Sequence, residues 1–465
     1  MSTSTPTLAV LGGSFNPPHL GHALLPRYLL ASGVADRVLV APCADHPLGK
    51  RLTAFPRRMS WTRLALGSEL DGDLVEVSPI EAELAAARDG RPSYTLELLE
   101  ALEARHPDER IRLVVGSDIT RSGETDRWHR WDRIVARFDP IIVPRAGWCE
   151  AGEASLPEIS STVVRETLDA LRATSSDAER RSVAARLRTT VPAAVASALL
   201  RWIDGDEPRV WVVGHGHVAA HVVPWLWDRG FEVVQLGARE LLAGGPLPEA
   251  PPIGAWLLAR DGDLPALAAA LVGRLPTGLP VLHAAGARPA REVLAPLVAA
   301  GHSVGTLHPI CSFRRERRGS RLRRASFGLA GSGPARDLAR ALVGDRPVLD
   351  LQHLDARGRM AYHAACALVA NHQAVIEEAA LTVLLRQGFE QGQASEALGE
   401  LMLGALENLL ELGIPDGVTG PLSRGDQATV ASHVAALESV APDAGELYAQ
   451  LSARLARMLV ATRSS

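Results

Sequence analysis

Twice in this chain a short β-branched run ends in a glycine turn that opens a helix. Thr7 to Leu11 leads into Gly12-Gly13-Ser14, and Val210 to Val213 leads into Gly214-His215-Gly216. A strand that hands over to a helix in this way returns as a parallel neighbour through a right-handed crossover. Further runs keep the rhythm. After the first turn, Arg37 to Ala41, Val75 to Ser78, Arg112 to Val115 and Pro140 to Val143 read as strands; after the second, so do Glu232 to Leu236, Gly254 to Leu258, Pro280 to His283 and Ser303 to Leu307.

The two series are separated by a helical stretch, Asp177 to Trp202, and a linker, Gly205-Asp206-Glu207-Pro208. From about Met360 the pattern changes to long apolar-periodic helices over Tyr362 to Arg386, Ala394 to Leu412, Gln427 to Ser439 and Ala444 to Ala461. The expected fold class is α/β: two doubly wound Rossmann-like parallel-sheet domains, residues 1–203 and 204–345, followed by an all-helical C-terminal domain, residues 346–465. With 47% hydrophobic and 22% charged residues, the 465-residue chain has material for more than one core. A formal charge of −4 excludes a basic coat for nucleic acid. No unbroken apolar run reaches the roughly 18 residues that span a bilayer, and Met1 to Thr7 lacks the stretches of a secretory signal, so no membrane partner and a cytoplasmic location are expected. Cys43, Cys149, Cys311 and Cys366 are far apart and form no CxxC pair, which predicts no metal site built on cysteine.

The first glycine turn runs Gly12-Gly13-Ser14-Phe15-Asn16-Pro17-Pro18-His19-Leu20-Gly21-His22. Glycines admit an anion close to the backbone, a helix N-terminus offers free N–H groups, and His19 and His22, three apart, project from neighbouring points of the first turn. The arrangement suits a triphosphate, with both histidines aimed at charge that develops on the α-phosphate. Lys50 is the only lysine, so its position wants a compact ammonium or simply reflects codon bias. Seven arginines crowd residues 314–324, as a solvated loop or a phosphate grip.

The eleven residues from Gly12 to His22 resemble the opening motif of the HxGH nucleotidyltransferase superfamily, and specifically of bacterial nicotinate-mononucleotide adenylyltransferase. Pro92-Ser93-Tyr94-Thr95, Gly116-Ser117-Asp118, Trp128-His129-Arg130-Trp131 and Ile159-Ser160-Ser161-Thr162-Val163-Val164-Arg165 then resemble further family segments in family order. The resemblance covers about residues 7–203. It implies adenylyl transfer from ATP, with Mg²⁺, to a pyridine mononucleotide, with His19, His22, Lys50 and Arg165 as catalytic groups. Gly12, Gly13, Ser14, Phe15, Gly21, Gly116, Asp118, Ser161 and Thr162 are implied to bind ATP, and Thr95 and Trp131 the nicotinate side. Asp118 ends a strand where open α/β sheets bind ligands, to hold a ribose hydroxyl or to cap the next helix. One departure is the loop from Cys43 to Lys50, longer and reshuffled, in which His46 and Lys50 face the triphosphate with Arg58 behind them; the acceptor therefore stays open between nicotinate mononucleotide and another phosphate.

Gly214-His215-Gly216-His217-Val218-Ala219 fits the dinucleotide pattern G-x-G-x-x-A, with Gln235 in place of an acid at the next strand's end and Arg239 beyond it, which favours NADP over NAD. Gly214, Gly216, Ala219 and Arg239 are the expected cofactor contacts. Residues 209 to about 460 resemble an uncharacterised Rossmann-like family with a helical domain of the 6-phosphogluconate dehydrogenase type, through His283-Ala284-Ala285-Gly286-Ala287, Gly305-Thr306-Leu307-His308-Pro309, Tyr362-His363-Ala364-Ala365, Asn371 and Thr419 to Asp426. The resemblance implies an NADP-linked reductase and a homodimer through the helices. His363, Asn371, Thr419, Arg424 and Asp426 are candidates to orient a carbonyl, against the plainer reading of a helix-cap turn and a buried histidine. A dinucleotide sensor or scaffold is the non-catalytic alternative for this half.

Overall fold

The computed structural model describes residues 5–45, 50–67, 74–88, 93–148, 150, 159–174, 176–313 and 321–463. His46, Pro92, Cys149 and most of the arginine run, 314–320, lie outside them. The chain divides into two compact units, Met1–Ala356 and Arg357–Ser465.

The first unit holds two sheets. One has the order β3-β2-β1-β4-β5, built from β1 (Thr7–Gly13), β2 (Arg37–Pro42), β3 (Val75–Val77), β4 (Arg110–Gly116) and β5 (Ile141–Val143), all parallel. Leu8, Ala9 and Val10 of the central β1 are all buried, as expected for a strand covered by helices on both faces. The order reverses at β1 and β4, so a crevice opens beyond their carboxyl ends, where Gly12 and Gly116 sit.

The second sheet has the order β12-β11-β10-β9-β8-β6-β7, from β6 (Arg209–Val213), β7 (Glu232–Leu236), β8 (Gly254–Leu257), β9 (Val281–His283), β10 (Val304–Ile310), β11 (Ser326–Gly331) and β12 (Val348–Asp350). All its pairs are parallel except β10–β11, so β11 and β12 run opposite to the other five strands. Both fold-class expectations hold; β11 and β12 were not foreseen. Ser-Phe-Gly-Leu-Ala-Gly is poor in β-branched residues because β10 and β11 pack closely: a Cβ on Gly305 would lie 2.9 Å from the Ala330 carbonyl.

The helix Phe55–Leu66, which covers the first sheet, packs on the helix His217–Asp228, which follows the glycine turn of the second. Ser60 Oγ donates to the Trp227 carbonyl at 2.6 Å. Asp228 receives Arg63 at 3.0 Å and Arg323 at 3.0 Å, and Arg57 reaches Glu207 at 2.7 Å. Arg323, from the arginine run, is thereby committed to a carboxylate inside the fold.

The second unit is helical, as expected, over Gln373–Arg386, Gln391–Leu412, Gln427–Val440 and Pro442–Arg463, with Ala356–Ala370 leading in. The single helix expected from Tyr362 to Arg386 is two, parted at Asn371 and His372, where His372 Nδ1 lies 3.1 Å from the Ala367 carbonyl. Few residues of this unit are buried, chiefly Ala394, Ala441, Ala444 and Leu459, whereas Leu401, Leu410 and Val369 are 70%, 77% and 75% exposed. By length and composition alone, Ala356–Arg386 is apolar enough to cross a bilayer. Its apolar residues form no unbroken run, because polar side chains such as His363, Asn371 and His372 interrupt them.

Candidate functional site

The chain leaves β1 through Gly12, where an added Cβ would meet open space, and Gly13, whose Cβ would press to 3.2 Å on the Phe15 ring. Phe15 itself adopts a left-handed φ of +46°, a conformation that costs an L residue about 1–2 kcal/mol. The turn sets the Phe15 ring 4.7 Å from that of His22.

His19 caps the helix Leu20–Ala31, and its N–H donates to His22 Nδ1 at 3.2 Å. His22 Nδ1 is thus an acceptor, so its proton sits on Nε2, available to a ligand. The two imidazoles are 3.8 Å apart. Burial, helped by the Arg145 guanidinium, lowers the His19 pKa to about 4, and burial with His19 and Arg145 holds His22 well below the usual histidine range. Both rings are neutral N–H donors near pH 7. Among the described residues His19 Nδ1 is buried without a hydrogen-bond partner.

Arg145 was not foreseen. It follows β5, and its Nη1 would lie 3.0 Å from a Cβ on Gly21, so this glycine is what lets the guanidinium approach the histidines. Its N–H donates to Ser117 Oγ at 2.9 Å, its Nη2 to the Ile159 carbonyl at 3.3 Å, and its Nε is 3.8 Å from Asp118 Oδ1. The only signal in the sequence was its place just past a strand's carboxyl end, the same rule that picked out Asp118. A Cβ on Gly116 would sit 2.2 Å from Asp118 Oδ1, and that oxygen is buried without a hydrogen-bond partner.

The helix Ser161–Ala173 is tied to the glycine turn by residues singled out in the sequence. Ser161 Oγ donates to the Pro17 carbonyl at 2.9 Å, and Arg165 donates to the Asn16 carbonyl and to Thr162 Oγ1, each at 2.8 Å. Arg58 is fully buried and donates to the carbonyls of Thr53, Ser14 and Ala44 at 2.8, 2.8 and 3.0 Å, so it frames the turn and the Cys43 loop from behind. Lys50 is exposed at the end of that loop. Thr95 opens the helix Thr95–Arg105, half-buried, after Tyr94, whose ring lies 4.7 Å from His129. Trp131 opens the helix Trp131–Phe138 with its ring edge-on to Trp128 at 5.4 Å. Neutral imidazole donors, guanidinium groups and the Asp118 carboxylate, ion-paired to Arg145, converge at one sheet edge, a set suited to an anionic nucleotide.

A cytidylyltransferase-like family model matches residues 10–167. Over 162 residues, 35% of this chain and 83% of the relative, the sequence is 44% identical to a probable nicotinate-nucleotide adenylyltransferase of Anaeromyxobacter dehalogenans. The chain belongs to the nicotinate-nucleotide adenylyltransferase family. A relative described in the same words from Gemmatimonas aurantiaca is 32% identical over 195 residues, 41% of this chain and 88% of its own. The adenylyltransferase part is therefore a nucleotidyltransferase enzyme, and it accounts for the first sheet. Beyond it, residues 325–455 match a model of a domain of unknown function, DUF2520. A solved protein of Bacteroides fragilis, provisionally described as an NADP oxidoreductase, is 18% identical with a TM-score of 0.43 over 54% of this chain and 99% of its own, too remote to bear on chemistry.

The second glycine turn is as tightly built as the first. Gly214 has φ +140°, a Cβ there would lie 2.6 Å from the Leu258 carbonyl, and Gln235 Nε2 donates to the Gly214 carbonyl at 2.7 Å. Gly216 faces open space, Ala219 is fully buried beneath the helix, and Arg239 is exposed on the helix Ala238–Leu242. Gly214→Ala should lose about 2–3 kcal/mol of stability, from the forbidden φ and the carbonyl clash together. A urea midpoint equal to the parent's would contradict that account.

In the helical unit His363 lies on the helix Ala356–Ala370 and is exposed, and Asn371 closes that helix. Thr419 and Arg424 are exposed in the turn that packs on the helix Pro442–Arg463. Asp426 caps the helix Gln427–Val440, accepting from Thr429 N–H at 3.0 Å and Thr429 Oγ1 at 2.6 Å, bonds that hold its carboxyl below the usual range. That is the plainer of the two readings the sequence left open for Asp426.

Proposed function

We propose that residues 1–203 transfer AMP from ATP to nicotinate mononucleotide, giving nicotinate adenine dinucleotide and pyrophosphate. The observation that carries this reading is the pair of neutral imidazoles, His19 and His22, packed 3.8 Å apart at the helix start, with His22 Nε2–H free to donate. A phosphate oxygen of the acceptor attacks the α-phosphorus in line; the new P–O bond forms as the bond to the β-phosphate oxygen breaks, and the electron pair leaves with pyrophosphate. His19, His22, Arg165 and Lys50 stabilise the charge on the α-phosphoryl and leaving oxygens. Gly12, Gly13, Ser14, Phe15 and Gly21 shape the cradle, Ser161 and Thr162 hold the helix Ser161–Ala173 to it, and Gly116 and Asp118 take the nucleoside side. Mg²⁺ would come with ATP and neutralise phosphate charge, with Asp118, ion-paired to Arg145, as the carboxylate beside it. Thr95 and Trp131 flank the pyridine ring. The test is pyrophosphate release by the full chain with ATP and Mg²⁺, offering nicotinate mononucleotide and nicotinamide mononucleotide separately. Faster release with the first is expected, and silence with both overturns the reading.

Residues 204–345 bind NADP on the Gly214–Ala219 turn as part of an NADP-linked reductase, for which His363, Asn371, Thr419 and Arg424 of the helical unit are the candidates to orient a carbonyl. The support is the open face of Gly216, Gln235 where an acid would select NAD, and an arginine, Arg239, just beyond it. Absence of NADP binding by calorimetry on the full chain removes this half of the proposal. NADP binding without any reduction would favour a sensor. The helices of the second unit pair with those of a second copy, because a helical unit with so few buried apolar residues needs cover for Leu401, Leu410 and Val369. Light scattering should return twice the 49.5 kDa chain mass.

A further inference from the structure

One buried acid of the first sheet has no part in the chemistry above. Glu81 lies in the helix Ile80–Ala86, just after β3, and is only 8% exposed. Its carboxylate accepts a hydrogen bond from Ser93 Oγ, across twelve residues of chain. Ser93 is itself buried and immediately precedes Tyr94 and Thr95, the start of the helix Thr95–Arg105. That start is fixed a second time from within the helix, where Glu97 Oε2 accepts from Tyr94 N–H at 2.8 Å. Arg58 holds the Ser14 carbonyl of the glycine turn and the Ala44 carbonyl of the β2 loop. Arg58 thus ties the ATP turn to the β2 loop, and Glu81 ties its own helix to the segment that starts at Ser93.

We infer that Glu81 is a positioning residue for the acceptor mononucleotide, acting through Ser93 to fix Tyr94, Thr95 and the first N–H groups of the helix Thr95–Arg105. The inference rests on the proposed adenylyl transfer to a pyridine mononucleotide. A buried carboxylate is a costly anchor unless a specific geometry requires it, since an apolar residue would fill the same space without desolvation. Ser93 has a short side chain with few rotamers, so its hydrogen bond to an acid held on another helix sets the backbone of residue 93 and hence the entry of the next. Burial raises the Glu81 carboxyl to about 7, with Glu97 of the neighbouring helix adding to the shift and the Ser93 hydrogen bond opposing it; Cys43 is the titratable group that faces it from β2.

The test compares Glu81→Gln and Ser93→Ala with the parent in the full chain, measuring pyrophosphate release against nicotinate mononucleotide and against ATP. Displacing the acceptor loop should raise KM for the mononucleotide about tenfold in either variant, while KM for ATP stays within about twofold. The double variant should be no worse than either single one, because the two residues act as one unit. Across pH 6–8 the ratio of the parent's acceptor KM to that of Glu81→Gln should change, while the same ratio for ATP stays level. Equal losses in both KM values, or additive losses in the double variant, would reduce Glu81 to general support of the fold and overturn the inference; unchanged acceptor KM in both variants would do so directly. A parent that releases no pyrophosphate with either mononucleotide refutes instead the reaction on which the inference stands.

Discussion

His22→Ala should lower kcat for adenylyl transfer about 10³-fold, the loss typical of removing one donor aimed at developing charge in a closed site. It starts from a single hydrogen bond: His19 N–H donates to His22 Nδ1, which leaves the His22 proton on Nε2. Alanine deletes that donor and nothing else that could reach the α-phosphoryl group from this position. His22→Asn, which keeps an N–H donor on a shorter arm, should recover part of the rate. Turnover by His22→Ala within about tenfold of the parent would show that the charge is met elsewhere. The same pair makes the domain acid-sensitive. His19 titrates near 4 in the folded chain and His22 also far below 6.5, whereas both take protons near 6.5 when unfolded. The unfolded state therefore binds more protons between about pH 6.5 and 4, and stability falls as pH drops through that window.

Asp228→Ala should destabilise the first unit by about 2–3 kcal/mol, read as a lower urea midpoint, because two guanidiniums converge on one carboxylate where the two sheets' helices meet. Arg63 and Arg323 each lie 3.0 Å from it, with side chains 12% and 34% exposed. Burial and the neighbouring Arg63 already press the Arg323 guanidinium down to about 10. Without the acid these two like charges face one another with little water to screen them. The exposed pair Arg172–Asp169, 45% and 73% open, is the natural control; Asp169→Ala should cost less than about 0.5 kcal/mol. Equal midpoints for Asp228→Ala and Asp169→Ala would mean that the Asp228 ion pairs add nothing measurable to the contact between the two sheets' helices.

Much of the site could be read along the chain. The run from Gly12 to His22 and the segment from Ser161 to Arg165 announce themselves because their chemistry is local: a glycine where backbone must be approached, a hydroxyl at a helix start, an arginine one turn on. The strands β1 to β10 follow from β-branched runs bounded by turns, and a fully buried parallel strand has to be apolar throughout. Other features escaped. Arg145 reaches His19 and His22 only because β5 lies beside β4, and no spacing in the sequence encodes that neighbour. Arg58 looked like one more cation behind a loop, yet it is consumed by three carbonyls from three segments. β11 was missed because close packing against β10 selects small residues, the reverse of what marks a strand.

Period and turn chemistry act between residues a few positions apart, through sterics and hydrogen bonds that the unfolded chain already feels. They suffice for two parallel-sheet folds, a helical tail and two glycine turns. Which charged groups meet is another matter. Asp228 with Arg63 and Arg323, Glu81 with Ser93, and Arg145 with the histidines are brought together by strand order and helix docking. Those contacts exist only once the layers have closed and water has been expelled from between them.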